Sequence, residues 1–126
     1  MKDIAREAES VILQLKAENN GELPLQTNQL RKFLTAVNSL TNHVNVYKAK
    51  HPQATELPEE LAGEVQFLKV KAAYQAGRFP GVRKFMDASK MEKRITEIGS
   101  GIGKYEEFSR YMEALVAYHK YHEGDK

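Results

Sequence analysis

The chain has 126 residues, 41% of them hydrophobic and 29% charged, with 19 Lys and Arg against 17 Asp and Glu. A chain of this length buries roughly two-thirds of the surface its unfolded form exposes, so one domain with one core needs no staples. It contains no cysteine, which excludes disulfide frameworks, zinc-thiolate and iron–sulfur centres and cysteine nucleophiles, and fits a reducing cytosol.

The first ten residues alternate charge and hold no apolar signal region, and no apolar run approaches the ~18 residues of a membrane span. The expectation is a soluble, cytoplasmic protein with no membrane partner. Net charge is +2, unevenly spread. Residues 1–65 hold 7 basic against 9 acidic side chains, residues 66–94 hold 8 against 2, and residues 95–126 hold 4 against 6. From Leu23 to Thr55 there is no acid, while Arg31, Lys32, Lys48 and Lys50 are present. Such zones are either solvated faces or the footprint of a polyanion.

Five helical segments are expected, and no strand: an all-α bundle. The first covers about residues 3–19, with Ile4, Ala8, Val11, Ile12 and Leu15 on one face and Asn19-Asn20-Gly21 as its stop. The second covers about 27–50, with Thr27 as N-cap and Leu30, Phe33, Leu34, Val37, Leu40, Val44 and Tyr47 as an apolar stripe. Its other face carries Arg31, Thr35, Asn38, Asn42 and Asn45; asparagine forms helices poorly, so stability does not explain this row.

The third covers about 58–78, opened by Pro58-Glu59-Glu60, where proline and acids suit the first turn. Leu61, Val65, Leu68, Ala72, Ala76 and Phe79 share its core face. Phe67, Val70 and Tyr74 lie opposite, beside Lys71 and Arg78, and Gln75 shares an edge with them. A fourth covers about 82–98 after a break at Pro80-Gly81, with Ser89 as the place for a split. Gly99 to Gly103 reads as a flexible joint, and the last helix covers about 104–122, burying Tyr105, Phe108, Met112, Leu115, Val116 and His119. Glu123 to Lys126 is a polar tail.

Catalytic motifs fail on inspection. Gly99-Ser100-Gly101-Ile102-Gly103-Lys104 lacks the glycine at Ile98 and the hydroxyl at Tyr105 that a phosphate loop needs, and the glycine spacing of a dinucleotide loop. His119 and His122, three residues apart, invite a metal, but His119 falls on an apolar face where a core histidine is the commoner reading. Glu106 and Arg110 read as an intrahelical pair. The serines lack a nucleophile elbow. The chain therefore reads as a non-enzyme without metal or cofactor.

What is left is the aromatic and basic face of the third helix and the amide row of the second. Cations and amides on acid-free faces suit phosphate, sugar and 2′-hydroxyl contacts. The alternative is that Phe67 and Tyr74 pack on a neighbouring helix while the cations are solvated. On the residues alone the two stand level.

At these positions the chain resembles a known family. Thr27 with Leu30-Arg31, the string from Phe67 to Arg78 ending Tyr74-Gln75-Ala76-Gly77-Arg78, and the string from Phe108 to Tyr121 containing Arg110-Tyr111-Met112-Glu113-Ala114-Leu115-Val116-Ala117-Tyr118 carry the resemblance. The family is the small helical subunit of type III-A CRISPR effector complexes, the Csm complex of bacteria, and the match covers about Thr27 to Gly124. The resemblance implies a non-catalytic subunit whose copies stack head-to-tail as an inner filament. That filament runs beside subunits holding the guide crRNA, and its basic faces line the channel where target RNA pairs with the guide. It implies RNA-binding roles for Arg31, Lys69 and Arg78, which match basic places in the family pattern. Lys71 sits where the pattern need not be basic, and Arg110 could equally make an internal ion pair. The alternative is a helical protein-interaction module without RNA contact.

Overall fold

A computed structural model describes residues 3–123. Its helices are α1 (Ile4–Glu18), α2 (Thr27–Lys50), α3 (Glu59–Arg78), α4 (Pro80–Ser89), α5 (Met91–Ile98) and α6 (Ile102–His122). The fold is all-α, as expected, with six helices rather than five among the described residues. Gly124 to Lys126, most of the expected tail, lie outside those residues.

Local chemistry sets the helix ends. Asp3 caps α1 by accepting the Arg6 N–H at 3.0 Å. Asn20 takes a left-handed φ of 58° and Gly21 one of 84°, and the Gly21 N–H donates to the Lys16 carbonyl at 2.8 Å, closing α1 with a six-to-one bond. In α2, Thr27 is the first helical residue and not the cap. Gln26 holds that place, its N–H donating to Gln29 Oε1 at 2.9 Å, and the Thr27 hydroxyl turns inward instead.

Phe79 alone separates α3 from α4. The expected break at Pro80-Gly81 lies inside α4, because proline at the first position lacks only a donor the helix does not need there. Gly81 has a tight neighbour: a Cβ there would stand 1.9 Å from the Pro24 carbonyl oxygen, so only glycine lets α4 sit against the linker before α2. The fourth expected segment is two helices, split at Lys90, whose φ of 55° ends α4 in a left-handed turn.

The joint before α6 is pinned. The Leu57 N–H donates to the Ser100 carbonyl at 2.6 Å and the Ile102 N–H to the Thr55 carbonyl at 3.0 Å, an isolated antiparallel bridge that ties the 51–57 loop to the start of α6. Gly103 is already helical.

The helices form a ring. Neighbours run α1, α6, α2, α3, α4 and back to α1, with α5 packed against α3, α4 and α6. Phe33, Phe85, Leu30, Leu68, Met91, Ile95, Tyr105, Tyr111 and Leu115 fill the centre. The Tyr105 hydroxyl lies 2.8 Å from Thr41 Oγ1 and donates to the Val37 carbonyl at 3.2 Å, holding α6 to α2. Among the described residues, no helix is long and apolar enough to cross a membrane.

Candidate nucleic-acid interface

The core stripe of α3 buries Val65, Leu68 and Ala72. Half a turn away, Phe67, Val70 and Tyr74 are 54%, 54% and 60% exposed. The aromatics therefore do not pack into their own core. Lys71 shares their side: its Nζ lies 5.9 Å from the Phe67 ring centroid. A groove between α2 and α3 is lined by Lys32, Phe33, Ala36, Val70, Lys71 and Tyr74. Gln75, expected on that edge, is instead buried, because it falls nearer the core stripe than its neighbours do.

Arg78 ends α3, where a cation complements the helix dipole, and its guanidinium lies 5.0 Å from the Phe79 ring centroid. Arg31 is exposed one turn into α2 and lines a depression with the 21–28 segment. Because Gly81 rests on Pro24, that segment also meets the α3–α4 corner. Arg31, Lys32, Lys71, Arg78, Arg83 and Lys84 are all exposed, on the N-terminal half of α2, the C-terminal half of α3 and α4. In the sequence, Arg83 and Lys84 are legible only as part of the basic count. Their placement depends on α4 starting at Pro80, one residue after α3 stops.

The remaining predicted cations lie elsewhere. Lys69 projects from the opposite flank of α3, its Nζ donating to Thr96 Oγ1 of α5 at 3.1 Å. Arg110 is exposed on α6. The expected Glu106–Arg110 pair is replaced by one between Glu106 and Lys48 of α2, since α6 packs against α2 and brings that lysine in. Lys48 is therefore engaged. So is Arg94: it pairs with Glu7, donates from Nε to the Ser89 carbonyl at 2.9 Å, and stacks 3.7 Å from the Tyr111 ring centroid.

The amide row of α2 meets the expectation: Thr35, Asn38, Asn42 and Asn45 are exposed. His119 is a core residue, 1% exposed. Its Nε2–H donates to the Leu25 carbonyl at 3.0 Å, which leaves Nδ1 to accept from the Thr27 hydroxyl at 3.3 Å. Both ring nitrogens are used. His122 Nε2 lies 2.7 Å from Glu9 Oε2. Among the described residues, no cluster of three His, Cys, Asp or Glu could hold a metal. Burial raises the Tyr105 phenol pKa, partly offset by Thr41. Burial likewise raises Tyr111, with the nearby Arg94 pulling back. Both rings belong to the core and not to these basic faces.

The sequence pattern of the Csm2 type III-A family matches residues 1–125. The chain belongs to that family. The CRISPR system Cms protein Csm2 of Streptococcus thermophilus is 34% identical over 117 residues, covering 93% of this chain and 88% of the relative. The protein of the same name from Mycobacterium tuberculosis (strain CDC 1551 / Oshkosh) is 36% identical over 119 residues, 94% and 90% of the two chains. That of Enterococcus italicus is 36% identical over 100 residues, 78% and 68%. The chain is accordingly a small subunit of a type III-A CRISPR Csm complex.

Proposed function

We propose that this small subunit is a non-catalytic, cytoplasmic RNA-binding element of its complex. It stacks head-to-tail with further copies and holds the target strand paired with the guide crRNA. The observation that carries the reading is the set of exposed cations on the N-terminal half of α2, the C-terminal half of α3 and α4: Arg31, Lys32, Lys71, Arg78, Arg83 and Lys84. Among the described residues, none of these six takes part in an ion pair. Such cations displace counterions from phosphates without reading sequence. Arg31, Lys71 and Arg78 are the first phosphate contacts, and Lys69 and Arg110 serve separate flanks. Stacked copies multiply weak contacts along one strand by raising effective concentration.

The test uses assembled complexes with Arg31→Ala, Lys71→Ala and Arg78→Ala, singly and together. Target RNA retention is followed across salt concentrations. Each lost phosphate contact on a single strand lowers the salt slope by about 0.7. Wild-type retention in the triple variant, with intact assembly, would sink the assignment.

The exposed Phe67, Val70 and Tyr74 favour a second reading, a helical interaction module that never touches RNA. A low-salt gel shift with long single-stranded RNA separates the two. No shift, alone or with the other Csm subunits, supports the module.

A further inference from the structure

We propose that the groove between α2 and α3 seats one unpaired nucleobase of an RNA strand. The base stacks on Tyr74, sets its edge on the Gln75 amide, and leaves its flanking phosphates to Lys32 and Lys71. This rests on the RNA-binding reading and gives it a base subsite. The groove holds about 400 Å³, within the roughly 300–1,000 Å³ of clefts that take small ligands. Its walls are largely apolar: Phe33 and Ala36 come from α2, Val70 and Tyr74 from α3. Phe33 is fully buried and Tyr74 is 60% exposed, so an open ring stands beside a fixed floor. Two lysines line the groove and no acid does. Neither lysine enters an ion pair among the described residues. An apolar side chain of a protein partner has no use for two ammonium groups. A nucleotide carries a stacking ring and an anionic phosphate together.

Gln75 points the same way independently. It is 5% exposed, yet its side-chain amide has no hydrogen-bond partner among the described residues. Among those residues, no side-chain nitrogen or oxygen sealed from solvent lacks a partner. The amide is therefore not sealed, and it reaches the groove that Gln75 lines. An amide offers one acceptor oxygen and two N–H donors. Every base presents a donor beside an acceptor on its edge, and a half-turn of the terminal torsion swaps the two ends of the amide. The site thus takes any base and discriminates against the lack of one. A paired base has its edge occupied and its faces stacked. The occupant is therefore a single-stranded base or one turned out of a helix.

The test uses the full chain with two probes: a single-stranded RNA, and a strand of the same length and charge that is abasic throughout. The RNA should bind about fivefold or more tighter than the abasic strand. Tyr74→Leu keeps apolar bulk and removes the ring. It should erase that advantage with the helical signal and the salt slope unchanged, and Tyr74→Phe should restore it. Gln75→Leu should cost about threefold on the RNA and nothing on the abasic strand. 5-Iodouridine in the RNA should photo-cross-link at Tyr74 in preference to Tyr121, which is 76% exposed. Equal binding of the two strands, or unchanged RNA binding by Tyr74→Leu, overturns the base subsite. If Lys32→Gln with Lys71→Gln then still lowers the salt slope, by about 0.7 for each lysine, the RNA-binding reading stands without it. Binding of neither strand overturns both. If Tyr74→Leu binds both strands normally but releases another Csm subunit from the assembled complex, the groove seats protein and the proposal fails.

Discussion

The contacts around α1 and the basic faces of α2 and α3 treat charge differently. On the first, charges are spent on structure. Glu7 holds Arg94, Glu9 meets His122, and Lys16 donates to the His122 carbonyl at 2.8 Å. On the second, Arg31, Lys32, Lys71 and Arg78 stand exposed, and Lys71 and Arg78 lie against aromatic faces. The residue types are alike on both sides; the partners differ. Paired charges fasten α1 to the rest of the ring; among the described residues, Arg31, Lys32, Lys71 and Arg78 enter no ion pair.

The sharpest way to break this comparison is to cut both faces of α3. Leu68→Ala removes a side chain that is 2% exposed and should cost about 2–5 kcal/mol in a urea melt. Val70→Ala, two residues on and 54% exposed, should stay within about 0.5 kcal/mol. Equal losses would mean that the outer face supports the monomer after all. Next in size is Arg94→Ala. Its ion pair with Glu7 is partly exposed and therefore worth little alone, but the stack on Tyr111 and the bond to Ser89 go with it. The expected cost is about 1–2 kcal/mol, and Arg94→Lys should recover little, because an ammonium cannot stack or fork. A melt unchanged by Arg94→Ala would remove the distinction drawn between the two sides.

Much of the fold is legible in the residues themselves. The stripes of α1, α2, α3 and α6 follow from apolar spacing, and the exposed amide row of α2 from the absence of apolar residues there. What escapes a reading of the sequence is non-local. Lys48 and Arg94 count as free cations until tertiary packing gives them Glu106 and Glu7. Glu106 leaves its sequence neighbour Arg110 for a lysine of another helix. The glycine-rich joint looks loose because its anchors, Thr55 and Leu57, lie more than forty residues earlier. Lys90 takes a left-handed turn with no glycine to announce it. The candidate site divides the same way. The strip of Phe67, Val70 and Tyr74 is visible as periodicity, but its exposure is not, since an apolar face reads alike whether a neighbour covers it or water does.

The smallest effect at neutral pH concerns the phenols that lock the ring's centre. Burial disfavours the phenolate, so folded Tyr105 and Tyr111 hold their protons more tightly than the unfolded chain does, whose phenols titrate near 10.0. The unfolded state therefore releases protons first as pH rises. The stability these groups contribute is fully present below about pH 10 and is lost as pH climbs through their folded values. Urea midpoints should hang level near pH 8 and fall by about pH 11. Tyr111→Phe loses the bond to the Ser89 carbonyl at 3.3 Å and should cost about 1 kcal/mol at pH 8. Above pH 10 the order reverses in slope: the variant has one fewer phenol to ionise, so its stability should fall less steeply than that of the unmodified chain. An identical alkaline slope in the two proteins would show that the Tyr111 phenol is solvated in the fold, and that its ring closes the core less tightly than its 2% exposure indicates.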